Sequence, residues 1–387
     1  MSSTTVQRVL NGRRGTRAVE FCIQLFVLSV IAFGLYITSV EVSFLWIIVF
    51  RRQTLVGGLY LIATFVPLSA AGLNYVSLIK GRRTHNVPRY LMPDIDDLTE
   101  PYECIDSEGH LASCAKCDGV WKPPRTHHCS TCGVCRMEFD HHCPWVGNCV
   151  TRNRMRNFLA LLVLVPVAYS VSMVQLYHPL VRHISLALDA SHQDPWTNQM
   201  WWDWYGSWIF FGGPFGRWIF GTALGFRILK TRRRTDLPLL EQPNLRLFSI
   251  CSIGLLFSLF ALILAIWTLR DLLRGLTTLD AMQQKGSNHV SRFVCIPKNA
   301  SCELHDDGAQ DNLDNGNDLH SRYSKVGAVL PAERPYDLGF WANLWDVFGR
   351  TPRHPANEAK YRWPKLNPIL VRRIHKPGSS ESESIAN

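Results

Sequence analysis

Four long stretches of this chain contain no charged residue, and they constrain its fold more than any other feature does. They cover residues 21–39, 54–79, 157–181 and 247–269, which are 19, 26, 25 and 23 residues long. About 20 residues of helix cross the hydrocarbon core of a bilayer, so each stretch is long enough to span it. The predicted fold class is therefore an all-α polytopic membrane protein with four transmembrane helices.

The formal net charge of +10 does not indicate a nucleic-acid partner, because many of the basic residues lie beside the spans. These clusters are Arg8, Arg13, Arg14 and Arg17; Lys80, Arg82 and Arg83; Arg152, Arg154 and Arg156; Arg270 and Arg274. Four crossings place all of them on one side, and basic residues favour the cytosolic side. We therefore expect a multi-pass protein of an endomembrane (ER or Golgi) or the plasma membrane, with both termini in the cytosol and the lipid bilayer as a partner.

Between spans two and three, seven cysteines and four histidines fall within the 36 residues from 114 to 149. Two CxxC pairs, Cys114/Cys117 and Cys129/Cys132, are each typical of half of a tetrahedral zinc site. Cytosolic thiols stay reduced, which favours zinc over disulfides. Two Cys3His sites leave one cysteine over, and a spare cysteine beside an Asp-His-His run is typical of a nucleophile with its base. Spacing alone neither separates His127 from His128 as a ligand nor excludes the cysteine of that run.

This stretch resembles the cysteine-rich domain of the DHHC protein S-acyltransferases (palmitoyltransferases). The matching positions are Lys122-Pro-Pro-Arg125, His128-Cys129, Cys132, Cys135, Asp140-His-His-Cys143-Pro-Trp145, Asn148-Cys149, Asn153 and Phe158. One spacing departs: four residues separate Cys117 from Lys122, where members of the family usually have three, which lengthens a turn and leaves the ligands unchanged. Two later segments also resemble family motifs. They are Thr277-Thr-Leu-Asp280, with Asp in place of the family's Glu, and the aromatic motif at 336–349 around Asn343.

The resemblance implies two structural zinc ions. By the family's arrangement, one is bound by Cys114, Cys117, His128 and Cys135, and the other by Cys129, Cys132, His142 and Cys149. The resemblance also implies that Cys143 is the nucleophile, that His141 is its base and that Asp140 holds the imidazole of His141.

The reaction that the resemblance implies is transfer of a long-chain acyl group, palmitoyl in the family's name, through a Cys143 acyl-enzyme. Palmitoyl-CoA or a related acyl-CoA is then the donor substrate, and cysteines of cytosolic or membrane-associated proteins are the acceptors. The four spans are expected to form a cavity for the acyl chain, while basic residues near the surface meet the phosphates of CoA.

From these patterns the chain divides into consecutive segments. They are a cytosolic N-terminus (1–17), a span (18–40), a span (54–79), a cysteine-rich zinc domain facing the cytosol (100–156), a span (157–181), a far-side or interfacial aromatic segment (182–246), a span (247–269) and a cytosolic C-terminal region (270–387) that includes the 336–349 motif and a disordered tail. Residues 41–52 are expected to form a short linker between the first two spans, and residues 1–17 to be flexible.

Two positions need separate interpretations. A fifth span around residues 206–226 would place Arg217 at its middle, at a cost of a few kcal/mol. The whole segment 182–246 is also rich in tryptophan, a residue that favours the membrane interface. Both points favour an interfacial segment over a fifth span. The three arginines at 232–234 then lie on the far side, against the positive-inside tendency, and the sequence offers no account of them. Cys104 falls outside the ligand pattern and is expected to be a free thiol or an acylation site.

Two other functional classes fit the sequence less well. A membrane-anchored zinc module that binds proteins, as RING-like domains do, explains the ligands but leaves Cys143 and the Asp140-His141 pair without a purpose. A transporter is disfavoured because the span interiors contain no Asp, Glu, Lys or Arg. We therefore interpret the chain as a protein-cysteine S-palmitoyltransferase.

Overall fold

Long helices dominate the structure, which is a computed structural model. It describes residues 3–80, 87–88, 90–210, 213–230, 238–285, 292–297, 325–349, 361 and 363–375. The chain divides into two compact units: Met1–Glu20, Leu78–Phe158 and Trp267–Asn387 form unit 1, and Phe21–Ser77 with Leu159–Ile266 form unit 2. The predicted disordered tail lies outside the described residues.

Within the described ranges, the helices confirm the number of spans predicted. The α-helices are α1 (Ser3–Tyr36), α2 (Thr54–Ile79), α3 (Arg152–Gln193), α4 (Pro195–Thr197), α5 (Ser207–Phe210), α6 (Pro214–Lys230), α7 (Leu245–Leu273), α8 (Thr278–Lys285), α9 (Phe340–Phe348) and α10 (Pro368–His375). Four helical segments are long and apolar enough to cross a membrane: Gly15–Phe50, Thr54–Ile79, Arg152–Gln193 and Leu245–Leu273.

The first span is longer than predicted at both ends. Helix α1 begins at Ser3, inside the segment expected to be flexible, and continues into a π-helix over Ile37–Phe50. The predicted linker at 41–52 is therefore wrong for most of its length, and the chain turns only at residues 51–53. No Gly or Pro interrupts residues 37–50, and the Tyr36 hydroxyl bonds the Glu41 carboxylate at 2.8 Å along the same helix. Glu41, the charged residue at which the sequence predicted the span to end, thus lies within the helical segment.

The aromatic segment after the third span is mostly helical. Helix α3 continues to Gln193, well past the predicted end of the span, and α4, a short π-helix (Asn198–Trp202), α5 and α6 follow. Arg217 is held by aromatic groups, with its guanidinium carbon 4.3 Å from the Trp208 ring centroid and a hydrogen bond to the Trp202 carbonyl. Helix α6 has 17 residues and is not among the candidate spans found in the described residues. Arginines 232–234 lie outside those residues.

In unit 2, an apolar core joins the π-helix to helices α2, α3 and α7. Its buried members are Ile37, Val42, Trp46, Ile47, Tyr60, Leu176, Leu240, Leu247 and Cys251. The two polar atoms that this core buries on aromatic rings are both satisfied, because the Trp46 indole donates to Glu241 at 2.7 Å and the Tyr60 hydroxyl donates to the Ser172 carbonyl at 3.0 Å. Such pairing removes the cost of burying them.

The cysteine-rich region of unit 1 is built from short strands, so the all-α prediction holds only for the helical segments. The strands described are β1 (Tyr102–Cys104), β2 (Ser113–Cys114), β3 (Val120–Trp121), β4 (His127–Cys129), β5 (Val134–Arg136), β6 (Phe139–Cys143), β7 (Asn148–Thr151), β8 (Phe293–Ile296) and β9 (Lys325–Ala328). Three antiparallel hairpins pair β2 with β3, β4 with β5 and β6 with β7, and a separate sheet has the order β1-β8-β9. Tight CxxC turns connect strands that are too short to carry a strong sequence signal.

The apolar packing around these hairpins comes from distant parts of the chain. Trp121 is buried and contacts Tyr361 and Trp363, with ring centroids 5.1 and 5.7 Å away. The C-terminal motif is tied down by Asn343, whose side chain is fully buried and donates to the carbonyl of Leu273 at 3.0 Å. The small apolar mass of residues 100–156 is thus completed by residues from the C-terminal region.

Candidate metal and catalytic site

The first Cys/His group consists of Cys114, Cys117, His128 and Cys135, whose potential ligand atoms all lie within 4.8 Å of one another. The Nδ1 atom of His128 is 3.7, 3.2 and 3.9 Å from the Sγ atoms of Cys114, Cys117 and Cys135. The pairing of β4 with β5 places His128 directly opposite Cys135. Of the two neighbouring histidines that spacing leaves undecided, His128 belongs to this group and His127 does not.

The second Cys/His group consists of Cys129, Cys132, His142 and Cys149. The Nδ1 atom of His142 lies 3.5, 3.5 and 3.6 Å from the three sulfur atoms. The β6–β7 register sets His142 opposite Cys149. Both groups have the membership that the family resemblance implied.

The geometry of both groups fits a zinc ion. Zinc–sulfur bonds of about 2.3 Å and zinc–nitrogen bonds of about 2.0 Å in a tetrahedron give edges of about 3.8 Å between sulfurs and about 3.6 Å between nitrogen and sulfur. The measured nitrogen–sulfur edges run from 3.2 to 3.9 Å, and the sulfur–sulfur edges of Cys117–Cys135 and Cys132–Cys149 are 3.8 and 3.5 Å. Three sulfurs and one imidazole nitrogen are also a ligand set that zinc uses.

Local backbone chemistry explains why the CxxC pairs turn so tightly. The amide of Cys132 points at the Cys129 sulfur at 3.4 Å, and the amide of Gly133 donates to the carbonyl of Cys129 at 2.7 Å. Gly133 has a φ of +73°, a conformation that glycine adopts without steric cost. The turn at Cys129–Cys132 thus presents its two sulfurs on one side.

Cys143 lies outside both groups, and the polar side chains of Asp140 and His141 precede it on β6. The Nδ1 atom of His141 is 2.7 Å from Oδ2 of Asp140, and the edge of the imidazole ring meets Phe158 with centroids 5.3 Å apart. Burial lowers the pKa of His141, but hydrogen bonds to Asp140 and to Cys143 outweigh it and raise that pKa to about 9. Since Asp140 occupies Nδ1, Nε2 is the ring nitrogen that remains for the thiol of Cys143. The arrangement can hold a thiolate beside an imidazolium.

Asp140 is itself held by a residue more than a hundred positions away. The backbone amide of Thr278 donates to Oδ1 at 3.0 Å, and the Thr278 hydroxyl donates to Oδ2 at 2.6 Å. Thr278 opens helix α8, where the first backbone N–H groups have no partner inside the helix. The sequence identified the Thr-Thr-x-Asp motif but not this contact.

The same motif caps helix α8. The Thr277 hydroxyl and the amide of Asp280 bond at 3.1 Å, while the Asp280 carboxylate accepts from the amide and the hydroxyl of Thr277 at 3.1 and 2.8 Å. This reciprocal arrangement is a capping box. It explains why Asp can replace Glu here, because the shorter acid still reaches the N-cap.

Asp280 also joins two partly buried arginines. Arg125 lies 3.2 Å from its Oδ2 atom and Arg292 lies 2.8 Å from its Oδ1 atom. Burial raises the pKa of Asp280, but the charges of Arg125 and Arg292, the Arg292 hydrogen bond and the Thr277 amide outweigh it and lower that pKa to about 2. Arg292 belongs to no sequence motif, so only the fold could reveal it.

Two remaining sequence-predicted positions lie apart from the Cys/His groups. Cys104 is 4% exposed and packs with Tyr102 and Trp121. Its pKa is raised to about 12, mainly by this burial. It is therefore not in either group and is not accessible as a surface acylation site. His127 packs against Phe139, with ring centroids 5.3 Å apart.

A cavity of about 250 Å³ lies beside these residues. Its lining includes the basic residues Lys122, Arg125, His127 and Arg292 together with the acids Glu103 and Asp280. The Trp121 Nε1 and Thr126 Oγ1 atoms, which also belong to the lining residues, are buried and have no hydrogen-bond partner.

Comparison with known proteins identifies the region that contains both Cys/His groups. Residues 107–285 match the family model described as DHHC palmitoyltransferase. The match starts before Cys114 and ends at the last residue of α8, so it includes the Thr-Thr-x-Asp motif.

Curated relatives with this region have names that agree with the family model. The chain is 52% identical over 58 residues to "Probable protein S-acyltransferase 13" of Arabidopsis thaliana, covering 15% of this chain and 19% of that protein. It is 33% identical over 130 residues to "Palmitoyltransferase spe-10" of Caenorhabditis elegans, covering 32% and 33%. It is 40% identical over 82 residues to the human "Palmitoyltransferase ZDHHC18", covering 21% and 20%. The matched part of the chain thus spans between a fifth and a third of the length of these relatives.

Proposed function

We propose that this protein is a protein-cysteine S-acyltransferase, because residues 107–285 match the DHHC palmitoyltransferase family model. It transfers a long-chain acyl group, palmitoyl in the first instance, from acyl-CoA to cysteines of cytosolic or membrane-associated proteins. The observation that carries the proposal is the 2.7 Å bond between Asp140 and His141 beside Cys143, a cysteine that belongs to neither Cys/His group.

The reaction proceeds in two exchanges of thioesters. The Cys143 thiolate attacks the carbonyl carbon of the acyl-CoA thioester, the new carbon–sulfur bond forms, and CoA leaves as its thiol after taking up a proton. The thiolate of a substrate cysteine then attacks the acyl-Cys143 thioester, and Cys143 is released. One thioester is exchanged for another in each step, so the overall free-energy change is small and the positioning of the reactants matters most.

His141 and Asp140 serve the first exchange. His141 accepts the proton of Cys143, and the resulting imidazolium stabilises the thiolate. Asp140 fixes the tautomer and orientation of the ring, as the carboxylate does in related nucleophile–base–acid arrangements. The bond from Thr278 in turn keeps Asp140 pointed at His141.

The zinc ions are proposed to be structural. Cys114, Cys117, His128 and Cys135 would hold one ion, and Cys129, Cys132, His142 and Cys149 the other, leaving no ligand position for substrate. A bound ion supplies folding free energy to a segment with little apolar mass of its own. No step of the acyl transfer is assigned to the metal.

The cavity lined by Lys122, Arg125 and Arg292 supports a site for the CoA head group. The two arginines are paired with Asp280 at its wall, and basic side chains of this kind are donors that suit a group rich in acceptors. Phosphates are such groups, and arginine and lysine bind them well. Acyl-CoA is therefore the donor that this cavity favours.

The four spans and their basic flanks support a multi-pass membrane protein with the cysteine-rich region in the cytosol. Cys143 comes shortly before α3, the third candidate span, in the chain. A nucleophile close in sequence to a span suits a donor whose acyl chain lies in the bilayer and whose head group lies in the cytosol.

The proposal is tested by labelling the purified full-length protein with a fluorescent or alkynyl palmitoyl-CoA and resolving it on a denaturing gel. We expect a band that hydroxylamine removes, since it cleaves thioesters. Cys143→Ser is expected to abolish the band, whereas the matched variant Cys22→Ser, at an exposed cysteine of α1, is expected to keep it. A protein that binds zinc but stays unlabelled would favour the protein-binding zinc module instead.

A further inference from the structure

A buried carboxylate contacts the second Cys/His group from the N-terminal helix. The Oε1 atom of Glu20 lies 2.9 Å from the Nε2 atom of His142. Glu20 is 4% exposed, and it belongs to α1, more than a hundred residues before His142 in the chain. Neither the Cys/His pattern nor the acyl-transfer chemistry requires an acid at this position.

The two nitrogens of His142 are used on opposite sides of its ring. Nδ1 faces the sulfurs of Cys129, Cys132 and Cys149 at 3.5 to 3.6 Å. A ring that binds a metal through Nδ1 carries its proton on Nε2, so Nε2–H is the donor and the Glu20 carboxylate is the acceptor. The 2.9 Å distance is that of a charge-assisted hydrogen bond.

Such a carboxylate has a definite effect on a metal-binding histidine. It fixes the tautomer, holds the ring plane, and increases the basicity of the coordinating nitrogen. Burial strengthens the effect because the local dielectric constant is low.

We propose that Glu20 is a positioning residue of the second metal site, orienting His142 through Nε2, so that helix α1 contributes a side chain to that site. The inference rests on the proposed binding of zinc by Cys129, Cys132, His142 and Cys149. It goes beyond the acyl transfer, because it assigns a role to a residue outside the matched range 107–285. His142 immediately precedes Cys143 on β6, so the orientation of His142 also bears on the strand that carries the nucleophile.

The test uses the full-length protein in detergent micelles and three variants. Glu20→Ala removes the acceptor, and Glu20→Gln keeps an acceptor oxygen but loses the charge. Glu41→Gln is the matched control, because Glu41 lies further along the same continuous helical segment and bonds Tyr36 rather than a histidine. Zinc content is measured by metal analysis, and release of zinc to an excess of a colorimetric chelator is followed with time.

We expect two zinc ions per chain in the native protein and in Glu41→Gln. In Glu20→Ala one ion is expected to be bound about 10- to 100-fold more weakly, the usual scale for losing such a partner, while the other is retained normally. Glu20→Gln is expected to lie between the two. Substitution with Co²⁺ adds a spectroscopic readout, because the visible absorption bands of one of the two sites should change in Glu20→Ala.

The outcomes separate this inference from the proposed function. Native protein without zinc would overturn the zinc sites themselves. Native protein with two ions, together with Glu20→Ala and Glu20→Gln variants that release zinc at the native rate, would overturn the role of Glu20 and leave the acyl-transfer proposal intact. If Glu20→Ala is not recovered as folded protein, Glu20→Gln decides, and an unchanged affinity and Co²⁺ spectrum in that variant contradict the inference.

Discussion

Thr278 holds both carboxylate oxygens of Asp140, one through its backbone amide at 3.0 Å and the other through its hydroxyl at 2.6 Å. Oδ2 of Asp140 is at the same time 2.7 Å from Nδ1 of His141. The carboxylate therefore has little freedom to rotate away from the imidazole. A residue at the start of α8 thus takes part in orienting a side chain on β6.

Removing the hydroxyl of Thr278 is expected to slow acylation without unfolding the protein. Thr278→Val keeps the shape and the backbone amide but loses a hydrogen bond to a charged group, which contributes about 1.5 to 3 kcal/mol. We expect self-acylation about 10- to 100-fold slower, with two zinc ions retained. Thr64→Val is the control, because the Thr64 hydroxyl bonds carbonyls of its own helix. Equal rates in the two variants would mean that Thr278 does not position Asp140.

The metal content should separate the nucleophile from the ligands. Cys143→Ser is expected to keep two zinc ions, since eight other ligands are present. Cys117→Ala and Cys132→Ala are each expected to lose zinc and the fold together, because a structural zinc ion contributes on the order of 10 kcal/mol. Metal analysis and circular dichroism measure both effects. A Cys143→Ser protein with only one ion would show that Cys143 is a ligand.

His141 and His142 should respond differently to the same substitution. His141→Ala is expected to keep both zinc ions and to slow self-acylation about 100-fold, the scale for losing a general base. Its rate should recover in part as the pH rises toward the free thiol pKa of about 8.5, because hydroxide then deprotonates Cys143. His142→Ala is expected to lose zinc and to show no such recovery. Zinc release from His141→Ala alone would reverse the two roles.

Asp280 should make the stability of unit 1 dependent on pH. Its pKa in the folded protein is about 2, below the ordinary value of 3.8, so the stabilisation is present above pH 4 and is lost as the pH falls toward 2. The shift corresponds to on the order of 2 kcal/mol. Asp280→Asn leaves Arg125 and Arg292 without their buried acid, so its melting temperature should be lowered at pH 7.

The difference in melting temperature between the native protein and Asp280→Asn should become smaller as the pH approaches 2. Thermal unfolding in detergent at pH 7, 4 and 3 measures it, with the exposed residue change Asp97→Asn as the control. A deficit that stays constant across this range would contradict the assignment of the low pKa to the Asp280 ion pairs.

The topology prediction concerns a position outside the described residues. With four crossings and both termini in the cytosol, a glycosylation acceptor inserted near Asp314 is expected to stay unglycosylated. A matched acceptor near residue 198, on the predicted far side, is expected to be modified in a secretory-pathway membrane. Glycosylation near Asp314 would mean an odd number of crossings before it, and the aromatic segment would then span.

Local patterns were predictable because they depend on residues close in sequence. The length of each charge-free stretch decides whether a helix can span, and all four predicted stretches lie in candidate spanning helices. The CxxC spacing likewise decides that two sulfurs share one turn. The exact ends of the helices were less predictable, since the packing of Val42, Trp46 and Ile47 continues the first helix past Glu41.

The sequence alone determined the four charge-free stretches, the seven clustered cysteines and the two CxxC pairs, because these follow from counts, spacing and hydrophobicity; the assignment of individual ligands and of Cys143 needed the family resemblance. Only the tertiary structure decided the partners that hold them: Glu20 on His142, Thr278 on Asp140 and Arg292 on Asp280. These contacts join distant parts of the chain. A single polar residue shows no periodicity or spacing in the sequence from which its partner could be predicted. Long-range hydrogen bonds become visible only when the helices and hairpins have been brought together.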